Sequence, residues 1–255
     1  VDAAKKADPN SSWFDYEGAS ILLENIGGGF SFSRPLNGGD PFKTSPWRVS
    51  AGMNLKKVTI IDAAGRERPY ATAANKTTTR NVNDIICVGY QPKDGSCPSE
   101  NKLVSFTTSA SRNKVDNTVN PTSGNVLRMG TEQFISVGND SPTFNRMYGS
   151  YSWFIPSKLI KLAKGCREEN SDSKSCPQTL GFQLKTATIV GDPPPYEAFC
   201  LGGTSSVRGW GSCELGVSKS FAEATAEYRY PIWRMISGAF FADAGSDLGT
   251  QNDVP

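Results

Sequence analysis

A period of two constrains this chain more than any other feature. From Trp47 to Ile61, Trp47, Val49, Ala51, Met53 and Leu55 fall on one face of an extended segment; Arg48, Ser50, Gly52, Asn54 and Lys56 fall on the other. Residues 179–191 repeat the pattern, with Leu180, Phe182, Leu184 and Val190 opposed to Gln183 and Lys185. Residues 217–232 set Ala222, Ala224, Ala226, Tyr228 and Tyr230 against Lys219, Glu223, Thr225, Glu227 and Arg229. Side chains alternate across a strand, so each segment reads as a strand with one apolar and one polar face. Further strands are expected at 26–34, 103–116, 125–137, 144–156 and 235–245, and the alternation is poorest in 103–116.

Eight such strands fit two architectures. A soluble sandwich buries the apolar face against a second sheet. A membrane barrel turns that face to lipid and keeps Glu, Lys and Arg in a wet lumen. Trp47, Tyr151, Trp153, Tyr228, Tyr230 and Trp233 gather near one set of strand ends, as in an interfacial aromatic belt. That distribution favours the barrel.

Composition narrows the classes further. Hydrophobic residues make up 37% of the 255 and mean hydropathy is −0.40, and no apolar run is long enough for a transmembrane helix. Twenty-seven basic against 25 acidic residues, without a basic block, argues against nucleic acid as a partner. The opening residues, Val1 to Pro9, are polar and carry no signal-peptide core, so the chain is expected to begin inside a longer protein.

Six cysteines form three local pairs, Cys87 with Cys97, Cys166 with Cys176, and Cys200 with Cys213. Each pair brackets a polar loop, which reads as disulfides in an oxidising compartment. Metal ligation is the alternative. Zinc ligand pairs usually sit closer in sequence, and the chain has no His.

Catalytic readings are weak. Without His, neither a Ser-His-Asp nor a Cys-His machine can be built from this chain. Glu223 and Glu227 lie about 13 Å apart along one strand, beyond the reach of a hydrolytic carboxylate pair. The loop Gly202 to Gly209 lacks the Lys-Ser/Thr ending of a phosphate cradle. The chain is read as non-enzymatic, with neither metal nor cofactor.

The loop Leu201-Gly202-Gly203-Thr204-Ser205-Ser206-Val207-Arg208-Gly209-Trp210 stands out instead. Its glycines allow tight turns that fold it inward, and Arg208 offers a planar fork of donors suited to a carboxylate. Candidate partners follow on the next strands: Glu223 and Glu227, then Asp243. Phe241, Asp243 and Gly245 share one strand face, and by the same alternation that face looks into the lumen.

Val207-Arg208-Gly209-Trp210, Glu227-Tyr228-Arg229-Tyr230-Pro231 and Phe241-Ala242-Asp243-Ala244-Gly245 occur in the order and spacing that mark the outer-membrane barrel-assembly insertase superfamily. The chain resembles that family, which includes BamA-like insertases, two-partner-secretion transporters and the plastid protein-import channel. The wording Pro195-Tyr196-Glu197-Ala198-Phe199 before the loop looks most like cyanobacterial members, with a plastid-type member as the alternative. Trp210 departs from the commoner Phe or Tyr but keeps an aromatic face for packing.

The resemblance implies an all-β, antiparallel up-and-down transmembrane barrel. Here about eight consecutive strands of roughly sixteen are expected, a partial barrel domain lacking the periplasmic domains and the last strands. It places the 191–217 loop outside, with 62–101 as a second long outer loop, and residues 34–46, 117–124 and 157–177 facing the periplasm. The long 157–177 connection opens with an amphipathic stretch, 158–164, expected as a short helix at the membrane surface. The resemblance makes Arg208 a latch on Glu227 or Asp243. It implies a factor that inserts and folds β-barrel proteins in the outer membrane. Its partners would be unfolded outer-membrane protein clients, the lipid bilayer and accessory assembly subunits. A polypeptide-translocating or secretion pore of the same superfamily is the alternative, and a diffusion porin or a β-sandwich adhesin lies further off.

Overall fold

In a computed structural model, the described residues are 22–39, 45–61, 100–135, 137, 142–160, 177–191, 193–233 and 236–250. Six long strands come first: β1 (Leu22–Pro35), β2 (Trp47–Ile61), β3 (Glu100–Val115), β4 (Gly124–Ile135), β5 (Phe144–Ser157) and β6 (Gln178–Gly191). Two short strands follow, β7 (Phe199–Leu201) and β8 (Gly216–Ser218), and then two more long ones, β9 (Ser220–Trp233) and β10 (Ile236–Ser246). The long strands form one antiparallel sheet in the order β1-β2-β3-β4-β5-β6-β9-β10, each beside its predecessor among them, and the sheet is open between β1 and β10.

No second sheet covers the apolar face among the described residues. Phe30, Leu55, Phe106, Met129, Trp153, Leu184 and Phe240 stand exposed on it. An exposed apolar surface of this extent suits lipid and not water, so the sandwich alternative fails. The polar face is concave and holds most of the ion pairs.

Three departures from the alternation carry information. Residues 217–232 are not one strand: Gly216–Ser218 turns away to pair with β7, and β9 starts only at Ser220. The lumen face is not wet throughout. At the end of the sheet bearing the 191–217 loop, Val58, Leu103, Phe134, Phe144 and Ile189 point inward and form a buried apolar cluster, with Phe134 and Phe144 stacked at 4.1 Å. Thirdly, Tyr228 lies on the outward face yet is only 8% exposed. Its hydroxyl donates to Gln178 and accepts from the amides of Leu159 and Ile160, so the chain after β5 folds across it. The expected helix over 158–164 falls mostly outside the described residues.

The opposite end carries the tight β3–β4 turn. Asp116 accepts from the Thr122 hydroxyl and from the amides of Thr122 and Ser123, and these bonds hold its carboxyl well below the usual carboxylate range. From this turn, Asn120 Oδ1 accepts from Arg229 Nη1 on β9 at 3.0 Å, across the concave face.

Candidate functional site

The 193–219 loop folds into the concavity and is held on β9 and β10. Its tip is shaped locally by the β7–β8 ribbon, in which Cys200 pairs with Val217 and Leu201 with Gly216. Cys200 of β7 forms a disulfide with Cys213, in the turn that precedes β8, with Cα atoms 4.4 Å apart. Cys87, Cys97, Cys166 and Cys176 all lie outside the described residues. Gly203 N donates to Trp210 O at 3.0 Å, closing the tip as a compact turn.

Arg208 projects from that tip. Its Nε and Nη2 donate to the two oxygens of Asp243 at 2.7 and 2.9 Å, and its Nη1 donates to Glu227 Oε2 at 2.7 Å. The planar fork matches the carboxylate plane, the strongest geometry for such a pair. The Asp243 hydrogen bonds, and after them those of Glu227, push the guanidinium further above its ordinary value. Phe241 lies under the same guanidinium, 3.7 Å from its centre, so Arg208 is held edge-on by charge and face-on by a π-surface. The Asp243 side chain is 4% exposed and that of Arg208 25%, so the carboxylate is shielded and the guanidinium partly so.

Two glycines of the motifs serve for different reasons. Gly209 has φ +94° with open space where a Cβ would stand, so backbone conformation selects it. Gly245 has no such constraint; a Cβ there would lie 2.8 Å from Val207 Cγ2, so room selects it. Val207 is buried in that notch. The F-x-D-x-G spacing thus presents a ring, a carboxylate and a gap along one strand face, each to a different part of Val207-Arg208.

The structure therefore brings together Val207, Arg208, Glu227, Phe241, Asp243 and Gly245. Two expectations at the site are corrected. Glu223 does not reach Arg208: it accepts from the Ser206 hydroxyl and lies 3.8 Å from Lys185 Nζ, which also donates to Ser205 O at 2.7 Å. Trp210 is 51% exposed and contributes its carbonyl, not an aromatic face, to the tip.

Sequence reasoning also missed Glu197, in the one-turn helix Pro195–Glu197. It is 7% exposed, receives Lys56 Nζ from β2 at 2.7 Å, and pairs with Arg146 of β5. Arg146 also donates to the Glu197 carbonyl at 2.9 Å. The preceding Tyr196 accepts from Asn101 Nδ2 at 2.9 Å, and burial pushes its phenol above the ordinary value. Nothing local in the sequence marks Glu197, because its partners lie 141 and 51 residues away.

Residues 6–255 match the Omp85 superfamily domain. Over 123 residues the chain is 39% identical to protein TOC75-4, chloroplastic, of Arabidopsis thaliana, spanning 48% of this chain and 29% of that protein. It is 37% identical over 123 residues to protein TOC75, chloroplastic, of Oryza sativa subsp. japonica, spanning 48% and 14%. To outer envelope protein 39, chloroplastic, of Arabidopsis thaliana it is 42% identical over 127 residues, spanning 50% and 30%. The matches thus cover less than a third of these relatives' own lengths. The fold is similar to the crystal structure of BamA from Haemophilus ducreyi lacking POTRA domains 1–3, with a TM-score of 0.59 at 14% identity over 89% of this chain and 42% of that one. The family match, the barrel sheet and these relatives place the chain in an outer membrane or plastid outer envelope, and it belongs to the Omp85 superfamily.

Proposed function

We propose that the whole protein inserts and folds β-barrel clients in its membrane, without enzymatic chemistry, receiving them as unfolded polypeptides. The observation that carries this reading is the Arg208–Asp243–Glu227 arrangement, in which a long loop is drawn into the lumen and fastened to two adjacent strands. Such a latch keeps the lumen ordered while clients are handled at the membrane. The lipid bilayer is the solvent for the outward face, and accessory subunits belong to the same reading.

Polypeptide translocation through the barrel is the second reading, favoured by the 36–42% identity to chloroplast envelope proteins. One experiment separates the two. Full-length protein is reconstituted into lipid vesicles and given an unfolded β-barrel client. Client that becomes heat-modifiable and membrane-embedded supports insertion; client that becomes protease-protected inside the vesicle lumen supports translocation. Client that does neither contradicts both.

A further inference from the structure

The loop touches the wall at a second place, and there the charges are reversed. At Arg208 the loop supplies the cation and the strands supply the carboxylates. At Glu197 the loop supplies the carboxylate and the strands supply Lys56 and Arg146. Arg146 is shared with Glu132 of β4 at 3.5 Å, and Glu132 accepts from Ser105 of β3 at 2.7 Å. Two cations therefore face two carboxylates, and four consecutive strands are tied to one loop residue. The Arg146 guanidinium also lies 5.5 Å from the Phe134 ring and 5.6 Å from that of Phe199, bridging wall and loop.

This cluster sits beside the apolar cluster on the lumen face, against which Tyr196 and Phe199 of the loop pack. Pro193 and Pro194 are fully buried there. Segment 193–199 thus covers inward-facing Phe134, Phe144 and Ile189 at the loop end of the barrel, where a wet lumen would have placed polar side chains. The disulfide separates the two contacts: Arg208 lies inside the ring closed by Cys200–Cys213, and Glu197 lies outside it.

We propose that Glu197 is a second latch, opposite in charge to Arg208, which seats segment 193–199 as a seal over the loop end of the lumen and acts independently of the Arg208 latch. Losing the Glu197 charge leaves Lys56 and Arg146 with one carboxylate between them and removes the polar tie over an apolar seat. The seal then opens while the tip remains on β9 and β10. The proposal uses the barrel reading but not the client reaction, so it is tested without a client.

The test is ion conductance of the full-length protein in planar lipid bilayers in potassium chloride, paired with limited proteolysis of segment 193–199. Glu197→Gln is expected to raise open occupancy severalfold and to expose 193–199 to protease. Arg146→Gln is expected to act in the same direction, and the double variant to fall short of the sum of the two, because both remove the Glu197–Arg146 pair. Arg208→Ala is expected to add to Glu197→Gln. Wild-type conductance and protection for Glu197→Gln overturns the proposal, as does full additivity of Glu197→Gln with Arg146→Gln. Where Glu197→Gln does not assemble, judged by heat-modifiability, Lys56→Gln takes its place with the same expected direction, and wild-type conductance there overturns the proposal equally. Failure of client insertion in the vesicle assay leaves these outcomes untouched.

Discussion

Asp243 receives Arg208 three times: through Nε and Nη2 of the guanidinium and through the Arg208 backbone amide, which donates to Oδ2 at 3.1 Å. The amide bond fixes the backbone at the latch residue and the fork fixes its side chain, so the carboxylate sets the position of the loop tip as well as its charge. Glu227 then takes the one remaining outward nitrogen.

Arg208→Ala is expected to release the tip and leave the Asp243 carboxylate without its cation, while Glu227 keeps Arg229 at 3.3 Å. The loss should fall near the lower end of the about 3–5 kcal/mol typical of breaking a buried pair, because Arg208 keeps a quarter of its side chain in contact with solvent. Arg208→Lys should recover little, since an ammonium cannot serve both oxygens of Asp243 and Glu227 together. Protease sensitivity of residues 201–213 in the full-length protein checks both, and an Ala variant as resistant as wild type counts against the latch.

The two motif glycines should respond differently to repair. Gly245→Ala places a methyl against Val207, and shortening the neighbour by Val207→Ala should restore the loop's protease resistance. Gly209→Ala meets no neighbour but holds a backbone that disfavours side chains, at about 1–3 kcal/mol. No substitution nearby should rescue it. Rescue of Gly209→Ala by Val207→Ala would overturn this division.

The lipid face makes a depth-dependent prediction. Leu184, midway along β6, points outward and is 54% exposed, whereas Lys185 points inward to Ser205. Leu184→Arg should cost about 2–4 kcal/mol in folding titrations from vesicles, the range for Arg near a bilayer midplane, and Lys185→Arg much less. Labelling with a lipid-soluble thiol probe should mark a cysteine placed at Ala224 and spare one placed at Glu223. The reverse pattern contradicts the facing of β9.

Much of this was legible in the chain, and the boundary has a physical cause. Period-two alternation located all eight long strands because each face meets one medium over most of its length. It failed where the lumen face meets protein, at Phe134, Phe144 and Ile189, since a packed seat selects apolar residues as lipid does. At Tyr228 it gave the right face but not the cover, because the chain returning after β5 lies across that side chain. Arg208 and its partners were readable because their order along the sequence repeats a known pattern. Glu197 was not, because its cations come from β2 and β5 and meet it only once the sheet has curved. Glu223 stood among the candidates for Arg208 by residue type alone, and depth excludes it: Ser206, two residues earlier in the loop, takes that carboxylate.

Cys200–Cys213 closes a short loop around the latch, and linking a loop of this size is expected to stabilise by roughly 3 kcal/mol, mainly through the unfolded state. Non-reducing digestion and mass spectrometry should recover the 200–213 link, with 87–97 and 166–176 expected beside it. Replacing Cys200 and Cys213 together by Ser should increase loop cleavage without abolishing the Arg208 contact. Loss of that contact in the Ser variant would show the tip to depend on the disulfide alone.

The most direct test of the inward loop is a crosslink between Val207→Cys and Gly245→Cys in the full-length protein in its membrane. A Cβ at position 245 stands 2.8 Å from the Val207 Cγ2 position, within reach of a new disulfide. The predicted result is a 207–245 link formed on mild oxidation, with both thiols shielded beforehand from a membrane-impermeant maleimide. Absence of the link, with the thiol introduced by Val207→Cys freely labelled from outside, would contradict a loop latched within the barrel.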